Sequence, residues 1–421
     1  HTFGCRLNKA ESLTIVKNLQ VAGFTLAKKC ETPQIIIVNS CAVTQKAERQ
    51  ITRFIKKIRS QNPKAFLLVC GCWVDAKKIN KSLVLSEAVD LFVSNQEKKN
   101  LVDLLRKKVK FYPNEILKQV QDNTLHQLIY EQSGRSFIKI QDGCNKFCSY
   151  CLVPYLRGRS QSVPADEVIK QIKEKVTEGI QEIIVTGVDI SQYQDSQIDL
   201  VRLLQKILEE TGIKRIRLGS VYPEVFTGTF LDLYKKHSIG NNHNGRLCRH
   251  FHISLQSGCN RTLRRMNRQY TVEQFIELVQ KIRKAIPGVN ITTDVIVGFA
   301  GETEVEFEET YKNCKTIGFG KIHIFPYSLR PGTLAAARER KKERGWEKVD
   351  ERTKSLRAKK LRQLSKKLEN DFKKQFRDQE LEVLIENKDE QGNWVGLSDN
   401  YMRFRIKDTQ LQMKDIIYLP K

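Results

Sequence analysis

The sequence has no unbroken run of roughly 18 apolar residues. Its longest apolar runs, such as IIIV from Ile35, are strand-sized. A membrane-spanning helix is therefore not expected. No secretory leader is visible, which points to a cytoplasmic protein. The chain opens at His1 rather than at Met, already inside a motif, so a first strand is expected to begin upstream. Acidic residues are in deficit: 48 Asp and Glu face 73 Lys and Arg, for a net charge of +25. Such a field favours a polyanionic partner; a basic surface that only aids solubility is the plainer reading. No Lys/Arg-rich amphipathic helix with exposed aromatics stands out, so binding to a membrane surface is not expected. The 11 cysteines are odd in number. Without a leader, metal-binding or catalytic use is favoured over a disulfide framework.

The 421 residues allow two or three domains. Residues 1–95 read as α/β. A helix around ESLTIVKNLQVAGF, a strand QIIIVNSC, a basic helix AERQITRFIKKIRSQNP and a strand AFLLVCGC alternate, which predicts a parallel sheet. Residues 96–132 are polar and read as a helical connector and loop. Residues 133–335 hold six strand–helix units, beginning with FIKIQ and ending with KIHIFPYS, for which a partial (β/α)6 barrel is the natural closure. Residues 336–375 read as one long charged helix with a thin stripe of Leu356, Leu361, Leu364 and Leu368. Residues 376–421 give four short strand signals and predict a small all-β barrel.

The stretch QDGCNKFCSYC places Cys144, Cys148 and Cys151 in one loop after a strand. Each iron of an iron–sulfur cube takes one outside ligand, most often a thiolate. Three cysteines hold three corners and leave the fourth iron open, and an open position is the catalytic pattern. A zinc knuckle completed by Cys248 or His250 is the alternative.

This loop resembles the CxxxCxxC loop of radical S-adenosylmethionine enzymes, here with Tyr150 before the last cysteine. The resemblance implies a [4Fe-4S] cluster whose open iron is chelated by the amino and carboxylate groups of S-adenosylmethionine. It also implies one-electron cleavage of that cofactor. Thr186, Gly187 and Val188, at the end of EIIVTG, match a strand end whose backbone meets the methionine amino group. Gly298, in TDVIVGFAGET, matches a strand that packs on the adenine; Ala300 stands where that family commonly has Pro. In HFHISLQSG, His250, His252, Ser254 and Gln256 alternate with apolar residues and so share one face. That face either lines a barrel or holds a structural histidine pair.

Cys5 precedes a helix, and Cys41 and Cys72 end the two amino-terminal strands. In a parallel sheet these ends share one edge, so three more thiolates converge there, again one short of four. Cys70 reads as a core residue, as do Cys30, Cys248, Cys259 and Cys314. The second triad resembles the amino-terminal domain of the radical methylthiotransferases (the MiaB-like family), and the likeness spans nearly the whole chain. It implies two [4Fe-4S] clusters, a tRNA partner, and electron and sulfur donors that the sequence does not name. The last domain resembles the TRAM RNA-binding barrel around GLSDNYMRFRI. There Tyr401 suits base stacking, and Arg403, Arg405 and Lys407 suit phosphates; a plain outer strand face is the alternative. Arg157 and Arg159 either bind phosphates or brace the cysteine loop.

The run NSCAVTQKAERQITRFIKKIRSQNPKA is most similar to the sub-group that adds a methylthio group to carbon 2 of N6-threonylcarbamoyladenosine beside the tRNA anticodon. Isopentenyladenosine in tRNA and an aspartate of a ribosomal protein are the alternative substrates. Two rivals are a non-catalytic RNA-binding protein with structural metal and a radical enzyme that only methylates. The second would need no amino-terminal triad.

Overall fold

The computed structural model describes residues 1–27, 31–42, 44–79, 87–109, 133–240, 244–408 and 410–419. Most of the expected connector, and Cys30, lie outside these. The chain divides into two compact units. The first is His1–Leu128 with Leu152–Gly158 and Arg330–Gly332; the second is Ile129–Cys151, Arg159–Leu329 and Thr333–Lys421.

In the first unit, β1 (Ile35–Ser40), β2 (Phe66–Gly71) and β3 (Leu91–Val93) form a parallel sheet in the order β1-β2-β3. Helices α1 (Arg6–Val21), α2 (Gln45–Gln61), α3 (Cys72–Ile79), α4 (Leu101–Lys108) and the short α5 (Val153–Arg157) accompany it. Apolar runs in β1 and β2 bury Val38, Leu67 and Val69 together with Ile51 and Ile55 of α2 and Trp73 of α3. The α2 helix starts where the Thr44 side chain accepts the Ala47 N–H and ends at Asn62. Pro63 follows and cannot continue it.

The second unit carries parallel strands in chain order. They are β4 (Arg135–Lys139), β5 (Glu182–Thr186), β6 (Arg215–Leu218), β7 (Ser220–Val221), β8 (His250–Ile253), β9 (Asn290–Val297) and β10 (Lys321–Pro326). They pair as two sheets, β6-β5-β4 and β7-β8-β9-β10. Gly219 joins the two sheets; its N–H reaches Val185 O at 2.8 Å, and a Cβ there would stand 3.0 Å from the same oxygen. Helices α6 (Ala165–Thr177), α7 (Leu200–Glu210), α8 (Gly228–His237), α9 (Asn260–Arg265), α10 (Val272–Ala285) and α11 (Glu304–Ile317) alternate with the strands. Thr271 with Gln274 and Thr303 with Glu306 make complete capping boxes that start α10 and α11.

Two helices, α12 (Leu334–Arg340) and α13 (Glu351–Lys374), stand where one long helix was expected. The break falls at Gly345, which has φ +81°, and at Trp346, whose buried ring meets Phe299 at 5.9 Å. The Asp350 side chain then caps α13. Leu361 and Leu364 are buried in the main core, but Leu356 of the expected stripe is 59% exposed. The three-residue β3 is too short to give a periodic signal, and Cys72 begins a helix rather than a loop.

Four antiparallel strands follow: β11 (Leu381–Lys388), β12 (Trp394–Ser398), β13 (Arg403–Ile406) and β14 (Ile416–Leu419). They form one sheet in the order β13-β12-β11-β14. The end of β12 and the turn after it lie on the amino ends of the parallel strands. Arg217 donates to Ser398 O (3.0 Å) and Asp399 O (2.8 Å), and Arg249 Nε pairs with the Asp399 carboxylate at 2.6 Å. Asn290 donates to Asn400 O at 2.9 Å. At the centre is Glu182, fully buried, with Arg135 Nε at 2.8 Å, Arg215 Nε at 3.0 Å and Arg217 Nε at 2.9 Å.

Burial alone would push the Glu182 carboxyl up, but Arg135, Arg217 and Arg215 together hold it well below the usual carboxylate range. A depressed native value means that the stabilisation is complete above the unfolded value (about 4.3). It is lost as pH falls through the native one. Glu182→Leu leaves three buried guanidiniums without their shared anion. It should cost about 3–5 kcal/mol in urea unfolding at pH 7, with the difference from the parent shrinking toward pH 3.

Candidate active site and metal centres

The loop carrying Cys144, Cys148 and Cys151 opens beyond β4 and is clasped by a short antiparallel pair, Gln141–Asp142 with Gln161–Ser162. Gln141 is completely buried and spends its whole amide there. Its Nε2 donates to Gly143 O (2.8 Å), Asp142 O (2.9 Å) and Ser160 Oγ (2.9 Å). Its Oε1 accepts the backbone N–H groups of Val188 and Asp189, both at 2.9 Å. One side chain thus ties the cysteine loop to the segment after β5, where Thr186, Gly187 and Val188 lie. A Cβ on Gly187 would stand 2.7 Å from Gln141 Oε1, so this approach needs glycine.

The Cys144 sulfur accepts from Lys146 N (3.3 Å) and Gln192 Nε2 (3.6 Å). Cys148 Sγ is 4.0 Å from the Tyr222 hydroxyl, and Cys151 N bonds Cys148 O at 3.0 Å. Ser149 anchors the loop through Met266 O (3.1 Å) and Arg265 O (2.6 Å). Burial pushes the Cys144 thiol up, while the Lys146 N–H and the Gln192 amide pull it down.

Beside this loop lies Arg268, 8% exposed. Its Nη2 donates to the Tyr150 hydroxyl at 3.0 Å, and its guanidinium lies 4.8 Å from the Tyr222 ring centre. Its Nε and Nη1 are buried and have no hydrogen-bond partner among the described residues. Its guanidinium also lies 5.9 Å from the Tyr270 ring centre, and a cation beside the loop suits a negatively charged occupant. Among the described residues no three His, Cys, Asp or Glu side chains converge closely enough for one metal ion. A cube gives each thiolate its own iron, so its ligands need not meet at a point. Three thiol groups on one loop, N–H donors on a sulfur and a guanidinium beside them fit an iron–sulfur cube and an amino-acid carboxylate.

Gly298 has φ +66°, and a Cβ there would stand 2.3 Å from Lys354 Cγ. Its N–H donates to Glu302 at 2.6 Å. Ala300 is buried in an apolar cluster with Phe299, Tyr327 and Trp346. On β8 and β9, the Thr292 hydroxyl meets His250 Nε2 and His252 Nδ1, both at 3.0 Å, and His252 Nε2 reaches Asp294 at 3.1 Å. Gln256 N bonds Asp294 O at 2.8 Å, and Ser254 Oγ lies 3.5 Å from the Asp294 carboxylate.

In the first unit, Ser40 pairs with Gly71 across β1 and β2. Cys41 and Cys72 each follow by one residue, so parallel register brings them level at one edge. Cys5 caps α1; the segment before it is bonded to β1 by Phe3 N to Asn39 O (2.8 Å), and α1 by Asn8 Nδ2 to Ser40 O (3.0 Å). A Cβ on Gly4 would stand 2.7 Å from Cys41 Sγ, which shows how closely the Cys5 turn approaches Cys41. The Cys72 sulfur accepts from Arg157 Nε (3.2 Å) and Asn95 Nδ2 (3.4 Å). Three thiols at one sheet edge, one of them with two donors, fit a second cube. Among the described residues the other thiols, Cys70, Cys248, Cys259 and Cys314, are core. Burial pushes Cys70 up to about 11 and Cys248 and Cys314 up to about 12.

Residues 138–314 match the Radical SAM superfamily, and residues 1–94 match a family described as Uncharacterized protein family UPF0004. Threonylcarbamoyladenosine tRNA methylthiotransferase MtaB of Bacillus subtilis is 32% identical over 99% of this chain and 92% of its own length. The MtaB protein of Aquifex aeolicus is 33% identical over 91% of each chain. The chain belongs to the radical S-adenosylmethionine methylthiotransferases. It is a transferase that acts on tRNA and uses S-adenosylmethionine and a [4Fe-4S] cluster. The tRNA-2-methylthio-N(6)-dimethylallyladenosine synthase of Lachnoclostridium phytofermentans is 31% identical over 99% of this chain and 91% of its own length. A solved structure of the radical S-adenosylmethionine methyltransferase TsrM from Kitasatospora setae shares the fold, with TM-score 0.54 and 16% identity over 73% of this chain and 66% of that one. Among the described residues no helix of the enzyme is long and apolar enough to cross a membrane.

Sequence reasoning missed Gln141, Gln192, Tyr222 and Arg268. Only Gln141 left a trace, standing three residues before the first cysteine. Gln141→Ala should weaken cluster retention by about tenfold or more, as lost outer contacts do at metal sites. Iron per chain after anaerobic gel filtration measures it. Arg268→Leu should keep the iron and weaken S-adenosylmethionine binding, read by calorimetry on the reconstituted protein.

Proposed function

We propose that this enzyme adds a methylthio group to carbon 2 of N6-threonylcarbamoyladenosine beside the anticodon. Cys144, Cys148 and Cys151 hold the radical cluster in this reading, and Cys5, Cys41 and Cys72 hold a second [4Fe-4S] cluster. The observation that carries the substrate is the near full-length likeness to relatives named for threonylcarbamoyladenosine. The likeness to relatives named for dimethylallyladenosine is almost as high, which makes that nucleoside the second reading.

When bound, the radical cluster supplies the electron that opens a carbon–sulfur bond of S-adenosylmethionine. The chain's own part is positioning. Gln141 holds the cysteine loop against the Val188 and Asp189 amides, and the Arg268 cation, bonded to Tyr150 of that loop, suits a carboxylate. Tyr150 and the Gly187 and Gly298 turns are the other cofactor contacts we assign, with Thr186 and Val188.

The six strand–helix units support a partial (β/α)6 barrel, and the carboxyl-terminal sheet supports a TRAM-type RNA-binding domain. Arg403 and Arg405 are exposed on β13 and suit phosphates, as does Lys407 just beyond it. The Tyr401 ring is stacked on His250 at 4.3 Å and under Arg217 at 5.1 Å. Its stacking capacity is therefore used within the protein.

Mass spectrometry of tRNA nucleosides tests the substrate, with the gene expressed in a host that lacks methylthiotransferases. Threonylcarbamoyladenosine should gain the methylthio group. Gain on isopentenyladenosine instead moves the assignment to the second reading. Cys148→Ala and Cys41→Ala should each abolish the product; full product from either removes that cysteine from the proposed cluster.

A further inference from the structure

Arg157 lies six residues after Cys151 in sequence, yet it belongs to the first unit. Its guanidinium is 3% exposed. Nη1 pairs with Glu11 Oε1 at 2.7 Å, and Nη2 donates to Asn8 Oδ1 at 2.9 Å. Glu11 is held from the other side by Lys98 Nζ at 2.7 Å. Two cations therefore share one buried carboxylate. With its far edge fixed, the guanidinium turns Nε onto the Cys72 sulfur at 3.2 Å. Asn95 supplies a second donor at 3.4 Å, and its Nδ2 is in turn steered by Asp75 Oδ2 at 2.7 Å. Glu11, Asn8 and Asp75 are thus the outer residues that aim two N–H groups at one sulfur.

We propose that Arg157 and Asn95 form a two-donor cradle on the Cys72 thiolate that raises the reduction potential of the cluster this thiolate holds. The proposal rests on the second-cluster reading above. One-electron reduction adds a negative charge shared by the iron, the sulfides and the thiolates. N–H donors and a nearby guanidinium stabilise that charge more in the reduced form than in the oxidised one. A buried site with two cations to one carboxylate amplifies the effect, because little water screens it. Arg157 is a positioning residue here, since it acts on the cluster through Cys72.

The test isolates the second cluster. Full-length protein carrying Cys144→Ala, Cys148→Ala and Cys151→Ala is reconstituted anaerobically, and its iron is counted. A reductive titration followed by electron paramagnetic resonance then gives the midpoint potential. Arg157→Leu should retain iron and lower the potential, with the reduced-to-oxidised ratio at a fixed potential falling about tenfold, equal to about 59 mV for one electron. Arg157→Lys keeps the charge without the planar Nε–H and should fall between the two. Asn95→Ala should shift the potential in the same direction by less, and it carries the test if the Arg157 variants lose iron. An unchanged potential in iron-loaded Arg157→Leu or Asn95→Ala protein overturns the cradle. A triple-alanine protein that holds no iron, with Cys5, Cys41 and Cys72 intact, overturns the second-cluster reading and the cradle with it.

Discussion

The carboxylate of Glu182 sits in the protein interior among three guanidiniums, and much of the second unit is organised around it. Arg135 comes from β4 and Arg215 and Arg217 from β6, the two strands that flank the β5 strand of Glu182, so one anion fixes the spacing of their amino ends. The same arginines reach outward to the carboxyl-terminal sheet, through Glu386, Leu397 O, Ser398 O and Asp399 O. A buried ion cluster of this kind is a weak source of net stability but a strict geometric requirement. Its effect is to occupy the amino ends of the strands. The cysteine loop opens at the carboxyl end of β4, the end at which parallel α/β architectures place their chemistry.

At that working end, short polar links replace apolar packing. Gln141 uses both faces of its amide, and Ser149, Asn267 and Gln192 each hold a further point of the loop. A loop that binds a cluster must keep its thiols within reach of separate irons while leaving one side open. Apolar packing cannot do that without filling the space. Directional hydrogen bonds can. The first unit places its cysteines differently. Strand register brings Cys41 and Cys72 level, and Arg157 and Asn95 donate to the Cys72 sulfur.

Regular elements were legible because burial imposes a period. The runs in β1, β2, β5 and β9 announce buried strands, and the apolar spacing in α6, α7 and α10 announces helices. Elements set by something other than period were missed. β3 has three residues. The break before α13 depends on Trp346 finding Phe299, some 45 residues earlier in the chain. In the motif GLSDNYMRFRI, read for base stacking by Tyr401 and phosphate binding by Arg403, Arg405 and Lys407 or as a plain outer strand face, Ser398 to Tyr401 are engaged by the arginines, Asn290 and His250 of the parallel strands. Nothing local in the motif separates a turn that meets RNA from one that meets Arg217.

The sequence by itself determined the family, the placement of six cysteines in two short-range patterns and the order of most strands and helices. These depend on residue type at short spacing and on the rule that parallel strands end on one edge. Only the tertiary structure decided which polar side chains serve those cysteines. Gln141 meets Val188 across 47 residues, Arg157 meets Cys72 across 85, and Arg268 meets Tyr150 across 118. Such partners are chosen by how the backbone returns, and a single buried hydrogen bond leaves no periodic mark on the residues between.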